Sequence, residues 1–137
     1  MVADHSDPLT IDTSSPRYQR GLELRRHTLG AEYVDAALET PDEFQRFIQE
    51  YVTDYVWGTI WGRDGLEPRI RSLVTLAMLA GLNNPGELRT HIRGAIRNGC
   101  TPDEVRETLL HAAVYFGVPA ALSALAIART ELSGAPG

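Results

Sequence analysis

Three residues in the middle of the chain have types and spacing suited to proton transfer: Asn84, Glu87 and His91. Residues three and four apart share one side of a helix, so these three fall on a common face. A carboxylate one turn from an imidazole orients the ring and favours its protonated form, which makes the pair a candidate general acid–base unit. Each member also has a plainer reading. Glu87 follows Asn84 by three residues, the place from which a capping-box glutamate bonds the N-cap backbone N–H. His91 borders the apolar stripe Leu88, Ile92, Ala95 and Ile96, where a histidine can be packed and inert.

Groups able to hold a negatively charged ligand lie on either side. Arg69 and Arg71 occupy the polar first turn of a very apolar segment, and Arg63 sits in a Gly-flanked loop beside Trp61. Guanidinium groups present a planar fork that matches a carboxylate, although each can equally be a solvated charge. Trp57 and Trp61 are four apart, which suits stacking or core packing. Tyr115, with His111 one turn before it, ends a helical segment and can face a pocket or the core.

Other chemistries find little support. The four histidines show no HxxxH or HxH spacing and there is no Cys/His cluster, so no metal site is expected. GxGxxG and GK[ST] loops are absent, so no nucleotide cofactor is expected. All 13 basic residues are arginine, which removes lysine Schiff-base chemistry. The net charge of -5 speaks against a nucleic-acid surface. Cys100 is the one cysteine, in an Asn-Gly-Cys-Thr-Pro turn, which rules out an internal disulfide and a CxxC redox pair. No apolar run is long enough for a bilayer and no signal peptide is visible, so a cytoplasmic protein without membrane contact is expected.

The elements that must carry these residues read as helices throughout. Residues 1–15 read as a flexible arm, 16–133 as one folded domain and 134–137 as a flexible tail. A first helix from Pro16 ends at Gly30, and a short second one follows. Thr40-Pro41-Asp42-Glu43 has the form of a capping box. Behind it, Phe44, Phe47, Ile48, Tyr51, Val52, Tyr55 and Val56 predict an amphipathic helix packed on a core and ending near Gly58. Pro68 opens a central helix, apolar nearly all round. Asn84 and Thr101 cap the next two, and Pro119 opens an Ala-rich last one suited to close helix packing or a subunit contact. No segment reads as a strand. The expected fold is an all-α bundle of about six to seven helices.

Several of these pieces occur together in one known family. Trp57-Gly58 with Trp61 and Arg63, Arg71-Ser72, Glu87-Leu88 with His91, and the Tyr115–Gly117–Pro119-Ala120 run make the chain from about Tyr18 to Glu131 resemble the carboxymuconolactone decarboxylase family. The wider superfamily includes alkylhydroperoxidase-type proteins, which carry a CxxC pair just before the equivalent of His91. Those thiol positions are Asn84 and Glu87 here, so the resemblance favours the decarboxylase branch. It implies an alkylhydroperoxidase-D-like all-α fold that oligomerises through apolar helices, commonly as a hexamer. The implied reaction is cofactor-independent loss of CO2 from a small lactone dicarboxylate, 4-carboxymuconolactone, in protocatechuate catabolism. His91 and Glu87 would be catalytic, with Arg63, Arg69, Arg71, Asn84, Trp61 and Tyr115 around the substrate. The rival readings are a peroxidase-like redox protein, which needs a second thiol near His91, and a non-catalytic helical assembly module.

Overall fold

The computed structural model describes residues 10–134. Most of the expected flexible arm, and residues 135–137 of the tail, lie outside the described residues. Among those described there are seven α-helices, one π-helical segment and no strand. They form two compact units. One comprises the chain up to Arg26 together with Gly30–Arg63; the other comprises His27–Leu29 and the chain from Asp64 onward.

The first unit contains most of α1 (Pro16–Leu29), α2 (Ala31–Leu38), α3 (Glu43–Tyr51) and the π-helical segment Val52–Trp61. Ser15 caps α1 by accepting from the Tyr18 N–H, and α1 ends at Gly30, whose φ of 98° suits glycine. Glycine at position 58 allows backbone contact between α1 and the π-helical segment. A Cβ there would stand 2.6 Å from the Arg17 carbonyl oxygen. Polar groups lock the same contact. Arg17 forms a bidentate pair with Asp54 at 3.0 and 2.6 Å, and buried Arg25 donates to the Thr53 hydroxyl at 2.9 Å and to the Gln49 side chain at 2.5 Å.

Three expectations for this region need correction. The cap of α3 is Asp42, which accepts from the Phe44 and Gln45 N–H groups, and not Thr40, whose hydroxyl accepts from the Asp42 N–H. The helix does not stop at Gly58 but widens into the π-helical segment and runs to Trp61. The aromatic stripe does not enter a core: α3 has no buried residue, and Phe44 is 71% exposed. The stripe packs on itself, with ring centroids 6.4 Å apart for Phe47–Tyr51 and 5.7 Å for Tyr51–Tyr55. Trp57 and Trp61 are buried and stacked at 4.5 Å, and Tyr18 is the third buried aromatic described in this unit.

The second unit is built from α4 (Pro68–Gly81), α5 (Pro85–Arg97), α6 (Pro102–Phe116) and α7 (Val118–Ser133). Leu76, Ile92, Val105 and Leu109 are fully buried at its centre. Burying each such side chain contributes roughly 1.5–3 kcal/mol. Small residues close the helices on one another: Ala121, Ala124 and Ala128 are the buried face of α7, as its Ala-rich sequence requires. The α4 helix is only half internal. Leu76 and Ala80 are buried, whereas Met78 is 57% exposed. Helices α4 and α5 run antiparallel. At one end the Asn98 side chain donates to the Ser72 hydroxyl at 3.0 Å, and at the other the Asn84 N–H reaches the Leu79 carbonyl at 3.3 Å.

Candidate active site

The turn between α4 and α5 fixes the start of α5. Asn83 has φ 52°, and the Asn83 and Asn84 N–H groups bond back to the Ala80 and Leu79 carbonyls, both at 3.3 Å. That is a Schellman closure with asparagine in the left-handed position. Asn84 then becomes the N-cap of α5, its side-chain oxygen accepting from the Glu87 N–H at 3.4 Å, and Pro85 fills the first helical position.

These two motifs share Asn84, and the sharing decides what Glu87 does. In a capping box the glutamate would satisfy the N-cap N–H. Here that N–H is taken by Leu79. The Glu87 carboxylate turns instead along the helix face, with Oε2 3.8 Å from His91 Nε2. This is an ion-pair distance rather than a direct hydrogen bond. The Glu87 side chain is 50% exposed, and His91 is almost wholly buried. Burial holds the imidazole pKa below its ordinary value, since a desolvated ring disfavours charge, and Glu87 pushes in the opposite direction without overcoming it. The arrangement is a buried imidazole with a solvent-facing carboxylate one turn away.

The face continues down α5. Gly94 and Asn98 follow Glu87 and His91 at helical spacing, and both meet Thr28. A Cβ on Gly94 would stand 2.8 Å from the Thr28 carbonyl oxygen, and the Asn98 side chain donates to the Thr28 hydroxyl at 3.1 Å and to Ser72. Thr28, Ser72 and His91 are the buried polar residues of this unit. Nothing in the sequence spacing of Thr28 and Asn98 distinguishes them from ordinary helix-end residues.

The remaining candidates are distributed unevenly. Trp61 and Arg63 belong to the first unit. Arg69 is engaged by Glu104 in an ion pair, and its backbone carbonyl accepts from Cys100, so it lies beside the far end of α5. Helical rise puts that end about 15 Å from Glu87 and about 9 Å from His91. Arg71 is partly buried on the same helix, next to Ser72. Tyr115 is at the correct end of the unit, because the Phe116 ring packs over Gly81, but it is 73% exposed and leans on His111 at 5.3 Å. Cys100 is buried, with a thiol pKa pushed up chiefly by burial, so it is poorly suited to thiolate chemistry. No cluster of three or more His, Cys, Asp or Glu able to hold a metal occurs among the described residues.

The described residues form an all-helical fold with an acid–imidazole pair near the head of α5, and comparison with known proteins supplies the family. Residues 48–130 match the Carboxymuconolactone decarboxylase family. The chain is 41% identical over 113 residues to 4-carboxymuconolactone decarboxylase of Acinetobacter baylyi, covering 82% of this chain and 84% of that one. It is 42% identical over 128 residues to nitrosuccinic acid decarboxylase npaB of Metarhizium robertsii, covering 93% and 90%. The chain belongs to the carboxymuconolactone decarboxylase family. Its activity is that of a carboxy-lyase.

Proposed function

We propose that this protein decarboxylates 4-carboxymuconolactone to 4-oxoadipate enol-lactone and CO2, in the protocatechuate branch of β-ketoadipate catabolism, and that it needs no cofactor. The observation that carries the reading is the release of Glu87 from capping, which leaves its carboxylate facing a buried His91. The substrate brings its own electron sink. The bond to the departing carboxylate breaks, its electron pair flows through the ring double bond into the lactone carbonyl, and CO2 leaves. The resulting dienolate takes a proton on carbon from the His91 imidazolium, and the ring regains one from solvent.

Burial suits this cycle. An empty site holds His91 mostly neutral, and a dicarboxylate bound beside it supplies the negative charge that draws a proton onto the ring. Arg71 is the proposed carboxylate holder, and Arg69, on the same helix, pairs with Glu104. Asn84, Tyr115 and the N–H groups opening α5 are the proposed stabilisers of charge on the lactone oxygen. The protein is proposed to act as a cytoplasmic homo-oligomer, a hexamer by family expectation. Apolar residues left on the surface, among them Met78, Leu82, Val114 and Leu122, support assembly. No described helix is long and apolar enough to cross a membrane.

A second reading is favoured by the nitrosuccinic acid decarboxylase relative. Nitrosuccinic acid also carries its departing carboxylate on a carbon attached to an electron sink, the nitro group, and a carboxymethyl group on that same carbon. The same proton donor would serve a nitronate. CO2 release from each compound by the purified protein separates the two. The reading expects kcat/KM at least tenfold higher for the lactone. Higher turnover of nitrosuccinic acid would replace the substrate and keep the site, and turnover of neither would favour the assembly module.

A further inference from the structure

We infer that Asn83 is a positioning residue for the Glu87–His91 pair: by taking the left-handed conformation it sends the Asn84 N–H to Leu79 and so frees the Glu87 carboxylate for the imidazole. The inference rests on the proposed role of that pair. The geometry is a chain of four steps. Asn83 has φ 52°, the one non-glycine residue with positive φ among those described. That conformation turns the chain so that the Asn84 N–H lies 3.3 Å from the Leu79 carbonyl. The Asn84 side chain caps the Glu87 N–H in the ordinary way. The Glu87 carboxylate, with no N-cap donor left to satisfy, stands 3.8 Å from His91.

Two other helix ends in this unit share parts of the device and differ in the group it serves. The end of α5 has the same closure with Gly99 in the left-handed position, φ 94°, where the Gly99 and Cys100 N–H groups bond to the Ile96 and Ala95 carbonyls. Glycine is therefore compatible with the motif in this chain. At the start of α6, Thr101 caps the Glu104 N–H and the Glu104 carboxylate is likewise not spent on the cap, but there it pairs with Arg69. At α5 the partner is an ionisable ring. Most L residues at position 83 disfavour positive φ, because Cβ crowds the backbone. With the turn opened, the Asn84 N–H would lose Leu79, and Glu87, three residues on, would be recruited to it as a capping-box glutamate.

The test is a titration of the His91 ring followed by NMR in wild type, Asn83→Ala, Asn83→Gly and Glu87→Gln, with folding checked by circular dichroism. The charged and titratable groups on the helices packed against α5, Arg69 and Arg71 on α4, Asp103, Glu104, Arg106, Glu107 and His111 on α6 and Arg129 and Glu131 on α7, are present in every variant. A change in the His91 midpoint therefore reports the Glu87 carboxylate. Glu87→Gln is expected to lower the midpoint, Asn83→Ala to lower it toward the Glu87→Gln value, and Asn83→Gly to keep that of wild type. Alanine leaving the midpoint unmoved, or glycine moving it as far as alanine, would overturn the inference. Wild type supplies a measurement that needs no variant: the Glu87 carboxyl carbon signal must move in step with the His91 titration, and its silence would also overturn the inference. None of these readouts requires turnover, so a protein inactive on 4-carboxymuconolactone with this titration behaviour would lose the proposed substrate and keep the positioning role. Full activity on the lactone with a silent Glu87 would do the reverse. Where turnover is measured, the pH profile of kcat/KM is expected to move with the His91 midpoint in Asn83→Ala and to be restored in Asn83→Gly.

Discussion

Replacing Glu87 by Gln keeps the shape of the side chain and removes its charge, which isolates what that charge does for His91. The carboxylate oxygen is 3.8 Å from the ring nitrogen. Two unit charges at that separation interact by about 1 kcal/mol in a fully aqueous surround and about 4 kcal/mol at an effective dielectric of about 20. The Glu87 side chain is half exposed, so solvent screening places the value near the lower end, about 1 kcal/mol. A loss of that size corresponds to about a fivefold drop in the protonated fraction of His91, and hence in kcat/KM, wherever the ring is mostly neutral. The assay is the ultraviolet absorbance change of 4-carboxymuconolactone across a pH series. The drop is expected on the alkaline side and to fade at low pH, where His91 is protonated in both proteins. A Glu87→Gln protein equal to wild type at all pH values, or one as damaged as a His91 variant, would refute the reasoning.

Burial lowers the His91 pKa below the ordinary 6.5, so the unfolded chain binds this proton more readily than the folded one. The unfolding free energy is therefore expected to fall as pH drops from above 6.5 through the folded midpoint, and His91→Gln should flatten that part of the denaturant-measured profile. Arg71→Gln is expected to reduce kcat/KM by about 10- to 100-fold, mainly through KM, the scale of a charge-assisted hydrogen bond, as read by initial-rate kinetics. Gly94→Ala places a Cβ 2.8 Å from the Thr28 carbonyl oxygen and methyl carbon, and should destabilise by about 1–3 kcal/mol in urea unfolding. Cys100→Ser should leave turnover and peroxide sensitivity unchanged, because the thiol is buried and donates to the Arg69 carbonyl.

Much of the helical order was legible in residue types. Pro at the head of α4, α5 and α6, and Gly30 and Gly99 after α1 and α5, mark ends that the structure places within a residue or two. Asn84 and Thr101 cap as their types require. Other features were not legible. The stripe from Phe44 to Val56 satisfies a 3.6-residue period, yet apolar periodicity says only that a face wants cover and not whether this chain supplies it; α3 leaves that face bare. The π-helical winding after Tyr51 has no signature in residue type, because neighbours four apart, such as Trp57 and Trp61, stack in either winding. The pairing of Glu87 with His91 was visible as spacing alone. That Glu87 is not engaged as a cap depends on a backbone angle at Asn83, which residue type only permits.

The most direct test of the account is the turnover of 4-carboxymuconolactone by His91→Gln, measured as CO2 released by folded protein next to wild type. If the imidazole delivers the proton to carbon, the rate falls by about 10²- to 10⁴-fold. A variant that releases CO2 at the wild-type rate would contradict the account.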